Sequence, residues 1–379
     1  MALRALARVN LAAIARNCER LRAELAPGAE LCAVVKANGY GHGAVASARA
    51  ALAGGATWTA VATALEAAEL RAAGIGGPLL VMGALSAEEL PIALDADADV
   101  VAWSEPFLAA LRAAGRERPG GIRVHLKLDV GMGRLGTRDE DVLLRLAEDV
   151  VAAPELVLAG GTTHMPCADE DPGATREQVE HFRAFGARLR ALAPSVRLHA
   201  ANSAAMLAFP ESHFDMVRPG VAIYGLDPFG EDPATRDLRP ALELFTWVAT
   251  VKPIAPGESA GYGRRFVARE PTTIATLPIG YGDGFRRAFS DNGEVLIDGR
   301  RYPIVGRVSM DNITADVGEA PIREGAAAVL VGGDGEERLT AEALARRIDT
   351  INYEITTALT ARVTRQYHRD GVPAADVSG

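Results

Sequence analysis

The spacing of apolar and polar residues changes character once along this chain. From about residue 9 to residue 226, short apolar runs alternate with segments whose apolar positions recur every three or four residues. Leu11, Ile14, Cys18, Leu21 and Leu25 follow helical spacing and predict a first helix. The runs Leu31–Lys36, Trp58–Thr63, Leu79–Gly83, Val100–Trp103, Ile122–Asp129, Leu156–His164, Val196–Asn202 and Met216–Arg218 predict strands. Helical segments separate many of them. Ser86 and Glu89 have the spacing of a capping box, and Gln178 to Leu192 places Phe182, Phe185 and Leu189 on one stripe. About eight β/α units predict an α/β fold closed as a (β/α)8 TIM-like barrel. An open doubly wound sheet is the alternative, but no G-x-G-x-x-G follows the first strand.

After Asp227 the pattern becomes β-like. Asp227-Pro228-Phe229-Gly230-Glu231-Asp232-Pro233 is rich in turn formers and reads as a linker. Beyond Pro240 the apolar runs Leu244–Val251, Thr272–Leu277, Glu294–Ile297, Arg301–Val305, Ile313–Val317 and Ala327–Val331 predict a mostly antiparallel β domain. Asp298-Gly299 favours a tight hairpin turn between two of them, and Thr340 caps one late helix, Ala341–Ile348. The expected division is therefore a barrel domain over 1–236 and a β domain over 237–379.

Composition narrows the function. A net charge of −9 without a basic run argues against a nucleic-acid surface. No apolar stretch approaches the roughly 18 residues that a membrane span needs, and arginines interrupt the apolar residues of Met1–Arg8, unlike a secretory signal. Cys18, Cys32 and Cys167 form neither a disulfide framework nor a metal motif, so a reducing cytoplasm is expected and no metal is.

In a barrel, functional groups gather where strands end. Lys36 ends the apolar run Leu31–Val35 and is followed by glycines at 39, 41 and 43. A desolvated lysine has a lowered pKa and a free lone pair for covalent catalysis, although a lone strand-end lysine more often snorkels to solvent. The glycines would let backbone approach a ligand closely. Lys127, Asp129, Arg134, His164, Asn202, Ser203 and Arg218 fall at similar positions, His199 just ahead of Asn202. Gly220, after Arg218-Pro219, either offers backbone amides to an anion or makes an ordinary turn. A reactive lysine with a phosphate site points to pyridoxal 5′-phosphate.

With those residues in view, the chain resembles the alanine racemase family of fold-type III pyridoxal-phosphate enzymes, over nearly its whole length. Ala33-Val34-Val35-Lys36-Ala37-Asn38-Gly39-Tyr40-Gly41-His42-Gly43 is similar to the family's cofactor-lysine signature, with Gly39 where alanine is common. The resemblance implies that Lys36 carries the cofactor and that Tyr40 touches its phosphate. Lys127 to Gly136 is similar to the segment whose arginine, here Arg134, binds the substrate carboxylate and the cofactor's phenolic oxygen, braced by a lysine, here Lys127, that is often carbamylated. His164 matches the histidine against the cofactor ring, though Met165-Pro166-Cys167 departs from the usual phenylalanine-led pattern. His199, Asn202 and Ser203 match a cofactor-support and phosphate segment, Arg218 matches the arginine that faces the ring nitrogen, and the resemblance implies phosphate-binding amides at Gly220 and Val221.

In the second domain, Gly261-Tyr262-Gly263 resembles the motif of the second catalytic base. Tyr281 lies in a segment that resembles the family's entry gate, Met310 and Asp311 in one that resembles its substrate-carboxylate segment, with Ser309 where cysteine is frequent, and the resemblance implies that Tyr353 binds the phosphate. Without the resemblance, such Gly-Tyr-Gly sequences are ordinary hairpin corners. The family implies a homodimer with shared active sites, alanine as substrate, and Lys36 and Tyr262 as bases on opposite faces of it, supplying D-alanine for peptidoglycan. Both bases need environments that lower their ordinary pKa of about 10. A broader racemase acting on serine, a fold-type III decarboxylase and a non-catalytic cofactor carrier are the competing readings.

Overall fold

The computed structural model describes residues 4–116 and 118–374. The chain forms two compact units, and the division is not a single cut. One unit runs from Ala15 to Gly39 and from Ser47 to Ile223. The other combines the stretch ending at Ile14, Tyr40–Ala46 and the chain from Tyr224 onward. No described helix is long and apolar enough to cross a membrane.

The first unit is the expected barrel. Its eight strands, Glu30–Val34, Trp58–Val61, Leu79–Val81, Asp99–Ala102, Ile122–Lys127, Leu156–Thr162, Arg197–His199 and Met216–Val217, pair in parallel in chain order and close on themselves. Each matches a run identified from hydrophobicity, starting within one residue of it and ending one to three residues earlier, where the chain leaves the ladder. The strands are buried on both faces, as parallel strands under helices must be, and so read as near-continuous apolar runs. Phe182, Phe185 and Leu189 are buried on the helix Pro172–Leu192, whose first turn is capped by Asp171. Ser86 and Glu89 exchange the two bonds of a capping box, at 3.0 and 3.2 Å.

The second unit is largely antiparallel. Its main sheet runs, in spatial order, Arg300–Pro303, Glu294–Ile297, Ala327–Asp334, Leu242–Trp247, Leu6–Asn10, Thr364–Arg369 and Val372–Pro373. A second sheet joins Thr250–Ile254, Thr272–Leu277 and Ile313–Asp316. Asp298 and Gly299 both have positive φ, which gives the hairpin turn its twist. Leu6–Asn10 is a strand that hydrophobic spacing did not single out: Ala7 and Val9 point inward, and it pairs antiparallel with Leu242–Trp247 and parallel with Thr364–Arg369. The beginning of the chain thus belongs with the β unit rather than the barrel, because backbone pairing is long-range and leaves little local signal.

The expected linker at 227–233 is anchored instead through its buried first residue, Asp227. The Asp227 amide donates to Glu342 Oε1 at 3.1 Å, and its carbonyl accepts from Asn352 Nδ2 at 2.7 Å. Its buried carboxylate accepts from the Phe229 amide and the Arg236 guanidinium. Turn-forming residues predicted the local geometry correctly, but not that the turn would be tied down.

Candidate active site

The C-terminal rim of the barrel collects most of the charged groups expected there. Lys36 lies two residues beyond Glu30–Val34, and Lys127 and His199 are the last residues of their strands. His164 follows Leu156–Thr162 by two, and Arg218 directly follows Met216–Val217. Arg134 is exposed in the loop after Lys127.

This cluster is cationic, and its members depress one another. Burial lowers the Lys36 pKa, Arg134 and Arg218 lower it further, and Glu66 works in the other direction. Burial, then Arg218 and Arg134, bring Lys127 down to about 8. His164 falls to about 3, first through burial and then through Arg218, Lys127 and Arg134, so it is neutral. Arg218 is drawn down to about 10 by burial and stays charged at neutral pH. Its guanidinium donates to His199 Nδ1 at 2.7 Å and to the carbonyls of Thr163 and Ala200 at 2.6 and 3.1 Å. These three acceptors are all neutral, so a full charge is desolvated against dipoles alone, an arrangement that favours an anionic ligand nearby. Asp129 does not fill that role. It braces its own loop by accepting from the amides of Gly131 and Gly133 and from Arg138.

The turn after Lys36 is strained. Ala37, Asn38, Gly39 and Tyr40 all have φ between 51° and 60°, a left-handed turn that disfavours side chains. Glu66 holds it: Oε1 accepts from the Ala37 amide at 2.6 Å, while Oε2 accepts from the amides of Ala62 and Thr63 at 2.9 and 3.1 Å. One carboxylate therefore serves a helix capping box and fixes the backbone beside Lys36. Sequence reasoning missed Glu66, although Thr63-x-x-Glu66 has the same capping-box spacing as Ser86-x-x-Glu89.

Ser203 Oγ accepts the Gly220 amide at 2.9 Å and the Ala222 amide at 3.3 Å. The Gly220 amide, expected to be open to an anion, is thus engaged by a side chain, and Val221 beside it is buried. Asn202 caps the helix Ser203–Ala208 through the Ala205 amide at 2.9 Å and donates to the Met165 carbonyl at 3.2 Å.

The other expected residues belong to the β unit. Tyr40 is buried, with its ring 5.2 Å from Tyr224 and 6.0 Å from Tyr353, and burial raises its pKa. Gly41 and Gly43 serve packing rather than a ligand: a Cβ at Gly41 would strike the Thr356 carbonyl, and one at Gly43 the Tyr367 hydroxyl. Tyr262, Tyr281 and Met310 are 72, 42 and 52% exposed, unusual for large apolar side chains on positions fixed by glycine-rich turns. The turn bearing Tyr281 is locked to the Met310 segment by bonds from the Tyr281 amide to Ser309 O at 3.0 Å and from the Gly282 amide to Met310 O at 2.9 Å. Buried Asp283 accepts from the Gly280 amide and from Arg4, and Arg362 bridges Asp283 and Asp311. Asp283, Arg362 and Arg4 were not singled out from the sequence, because their partners lie up to 307 positions away.

Comparison with known proteins agrees with this arrangement. Residues 9–228 match the family model described as alanine racemase, N-terminal domain, and residues 241–367 the model described as alanine racemase, C-terminal domain. An alanine racemase of Thermobifida fusca is 42% identical over 95% of this chain and 97% of that protein. One from Symbiobacterium thermophilum is also 42% identical, over 95% of this chain and 96% of that protein. The crystal structure of alanine racemase from D-cycloserine producing Streptomyces lavendulae superposes with a TM-score of 0.92 at 39% identity, covering 97% of this chain and 98% of that one. That of E. faecalis gives 0.89 at 36% identity, with coverage of 97 and 98%. Together with the closed barrel and antiparallel β unit, these matches show that the chain belongs to the alanine racemase family.

Proposed function

We propose that this chain interconverts L- and D-alanine, with pyridoxal 5′-phosphate carried by Lys36 and with Tyr262 of a second copy as the opposing acid–base group. The observation that carries the reading is the cationic rim: Lys36, Lys127, Arg134 and Arg218 gathered at one end of the barrel, with Arg218 bonded only to neutral acceptors. That donor set fits a dianionic cofactor and a substrate carboxylate, and the lowered pKa of Lys36 fits a covalent attachment point. When bound, the cofactor withdraws electrons from the substrate Cα and acidifies its C–H bond.

The residues then divide the work. Arg134, exposed at the rim, suits the substrate carboxylate. Lys36 holds or releases a proton on one face of Cα, and Tyr262 does so on the other, since one base cannot cross the plane. Arg218 can only donate, so it would leave a cofactor ring nitrogen placed against it unprotonated, which would favour return of the proton to Cα. His164, held neutral, can pack against a ring without adding charge. Lys127 near pH 8 has the neutral amine that carbamylation requires, and as a carbamate it would attract Arg134 rather than repel it. Tyr40 and Tyr353 are the proposed phosphate contacts, with Asn202, Ser203, Gly220 and Val221 as supporting groups.

The exposure of Tyr262, Tyr281 and Met310 supports a homodimer in which this surface is covered by the partner. The relatives above are named for alanine, which favours alanine over the broader amino-acid racemase considered from the sequence. Incubation with single-enantiomer amino acids in D2O tests the proposal. Deuterium should enter at Cα of alanine with inversion. A faster reaction with serine, release of CO2, or no exchange would each overturn it.

A further inference from the structure

A chain of buried side chains crosses the barrel interior and ends on Arg218. Asp99 opens the strand Asp99–Ala102, at the end of the barrel opposite the rim. Its Oδ2 lies 2.9 Å from His125 Nε2, His125 Nδ1 lies 2.8 Å from His199 Nε2, and His199 Nδ1 lies 2.7 Å from Arg218 Nη1. Asp99, His125 and His199 are essentially inaccessible, and Gly160 makes room for the middle ring, since a Cβ there would strike His125 Nδ1. The mechanism above uses neither Asp99 nor His125.

The two ends fix every proton between them. Arg218 has only donors, so His199 Nδ1 must accept and its proton sits on Nε2. That Nε2–H donates to His125 Nδ1, which leaves the His125 proton on Nε2, facing the Asp99 carboxylate. A His125 that donated from Nδ1 to His199 Nε2 would force a proton onto His199 Nδ1, against the Arg218 donor, so the geometry makes His125 Nδ1 an acceptor. Asp99 stays ionised: burial works against it, but bonds from His125 and Arg123 outweigh that.

We propose that Asp99 and His125 are positioning residues that set the His199 tautomer and so hold Arg218 aimed at the reacting site. The activity readout rests on the role of Arg218 proposed above; the tautomers do not. Asp99→Asn makes a sharp test. Arg123 Nε donates to Asp99 Oδ1, so it would claim the single oxygen of asparagine and turn the amide NH2 toward His125. Both imidazoles would then invert. His199 Nδ1–H would find Thr162 Oγ1, 3.1 Å away, and Arg218 would lose its acceptor. Adding Arg123→Ala frees the asparagine oxygen to face His125 again.

The experiment is nitrogen NMR of the holoenzyme labelled at its seven histidines, with resonances assigned by single His→Gln variants. In the wild type both His125 and His199 should carry their proton on Nε2. Asp99→Asn should move both to Nδ1 and lower kcat for alanine about ten- to a hundredfold, the scale of one charged hydrogen bond, with KM changed less than about threefold. The double variant Asp99→Asn/Arg123→Ala should restore the Nε2 form and at least about a third of the lost rate. A wild-type His199 protonated on Nδ1 overturns the proposal whether or not any variant folds. So does a double variant no better than Asp99→Asn, as a purely structural role requires. A chain inactive on alanine whose tautomers behave as described would refute the proposed function and leave the relay standing.

Discussion

Lys127→Met isolates the electrostatic tension at the barrel rim. Methionine keeps the length of the side chain and removes its charge. The fall of Lys127 from an ordinary 10.5 to about 8 means that the folded, ligand-free protein opposes its charged form by about 3 kcal/mol. The sign follows from proton counts. Below pH 8 Lys127 is protonated both folded and unfolded, so the whole penalty is present. Between pH 8 and 10.5 the folded lysine is neutral while the unfolded one still binds a proton, so stability rises with pH. Above that range the penalty is gone. Cofactor-free Lys127→Met should therefore be more stable than the wild type by up to about 3 kcal/mol at pH 7, and the gap should close by about pH 10.5.

Urea unfolding in CO2-free buffers, at one protein concentration so that assembly is held fixed, measures the gap. The variant should lose racemase activity despite its gain in stability, because the brace beside Arg134 is gone. Parallel stability curves across this pH window would refute the account of Lys127 as a strained cation. A variant less stable than the wild type at pH 7 would do the same, since it would mean that packing of the lysine stem outweighs the charge.

Three further perturbations separate the remaining roles. Arg218→Glu should slow racemisation and raise pyruvate formation from alanine, because a carboxylate would allow the ring nitrogen facing it to be protonated; unchanged pyruvate sinks that reading. Tyr262→Ala should abolish solvent-deuterium uptake from one alanine enantiomer and leave the other half-reaction detectable, so equal loss from both counts against two opposed bases. Glu66→Ala strips three amides of their acceptor. Water can replace the bonds to exposed Ala37 and Thr63, so the expected loss of stability is only about 1–2 kcal/mol. The activity loss should be larger than that suggests, and Glu66→Gln, whose one oxygen can serve only one side, should fall between.

Hydrophobic runs located all eight barrel strands because parallel strands covered by helices are buried on both faces, and such a signal is local. The strand Leu6–Asn10 escaped because half of it faces outward and its partners lie more than 230 residues away. Charge at strand ends marked Lys36, Lys127, Arg134, His164 and Arg218 correctly as rim residues, since strand ends in a barrel share one surface. Asp99 and His125 were not legible for the opposite reason. His125 reaches Asp99 on the neighbouring strand and His199 two strands away, and those approaches follow from closure of the barrel, not from spacing along the chain. The cap spacing of Glu66 was legible, but its reach to the Ala37 amide was not. The glycines at 41 and 43 show how a correct observation can mislead. They do permit close approach, but what approaches is the protein's own backbone at Thr356 and the ring of Tyr367.

The charge balance of the rim links folding to ligand binding. Lys36, Lys127 and Arg218 raise one another's energy, while Asp129 is tied up in its own loop and Glu66 by three backbone amides. The anion that reaches Arg218 from within the barrel does so indirectly, as Asp99 acting through the imidazoles of His125 and His199. That path orients the guanidinium without neutralising it. Had Asp99 contacted Arg218 directly, the pair would have been more stable but less attractive to an incoming anion. Distance through His125 and His199 keeps the direction of Arg218 fixed and its charge available. An anion bound at the rim is then worth more than its own contacts, because it also relieves the repulsion among the cations, and its binding should stabilise the fold in proportion.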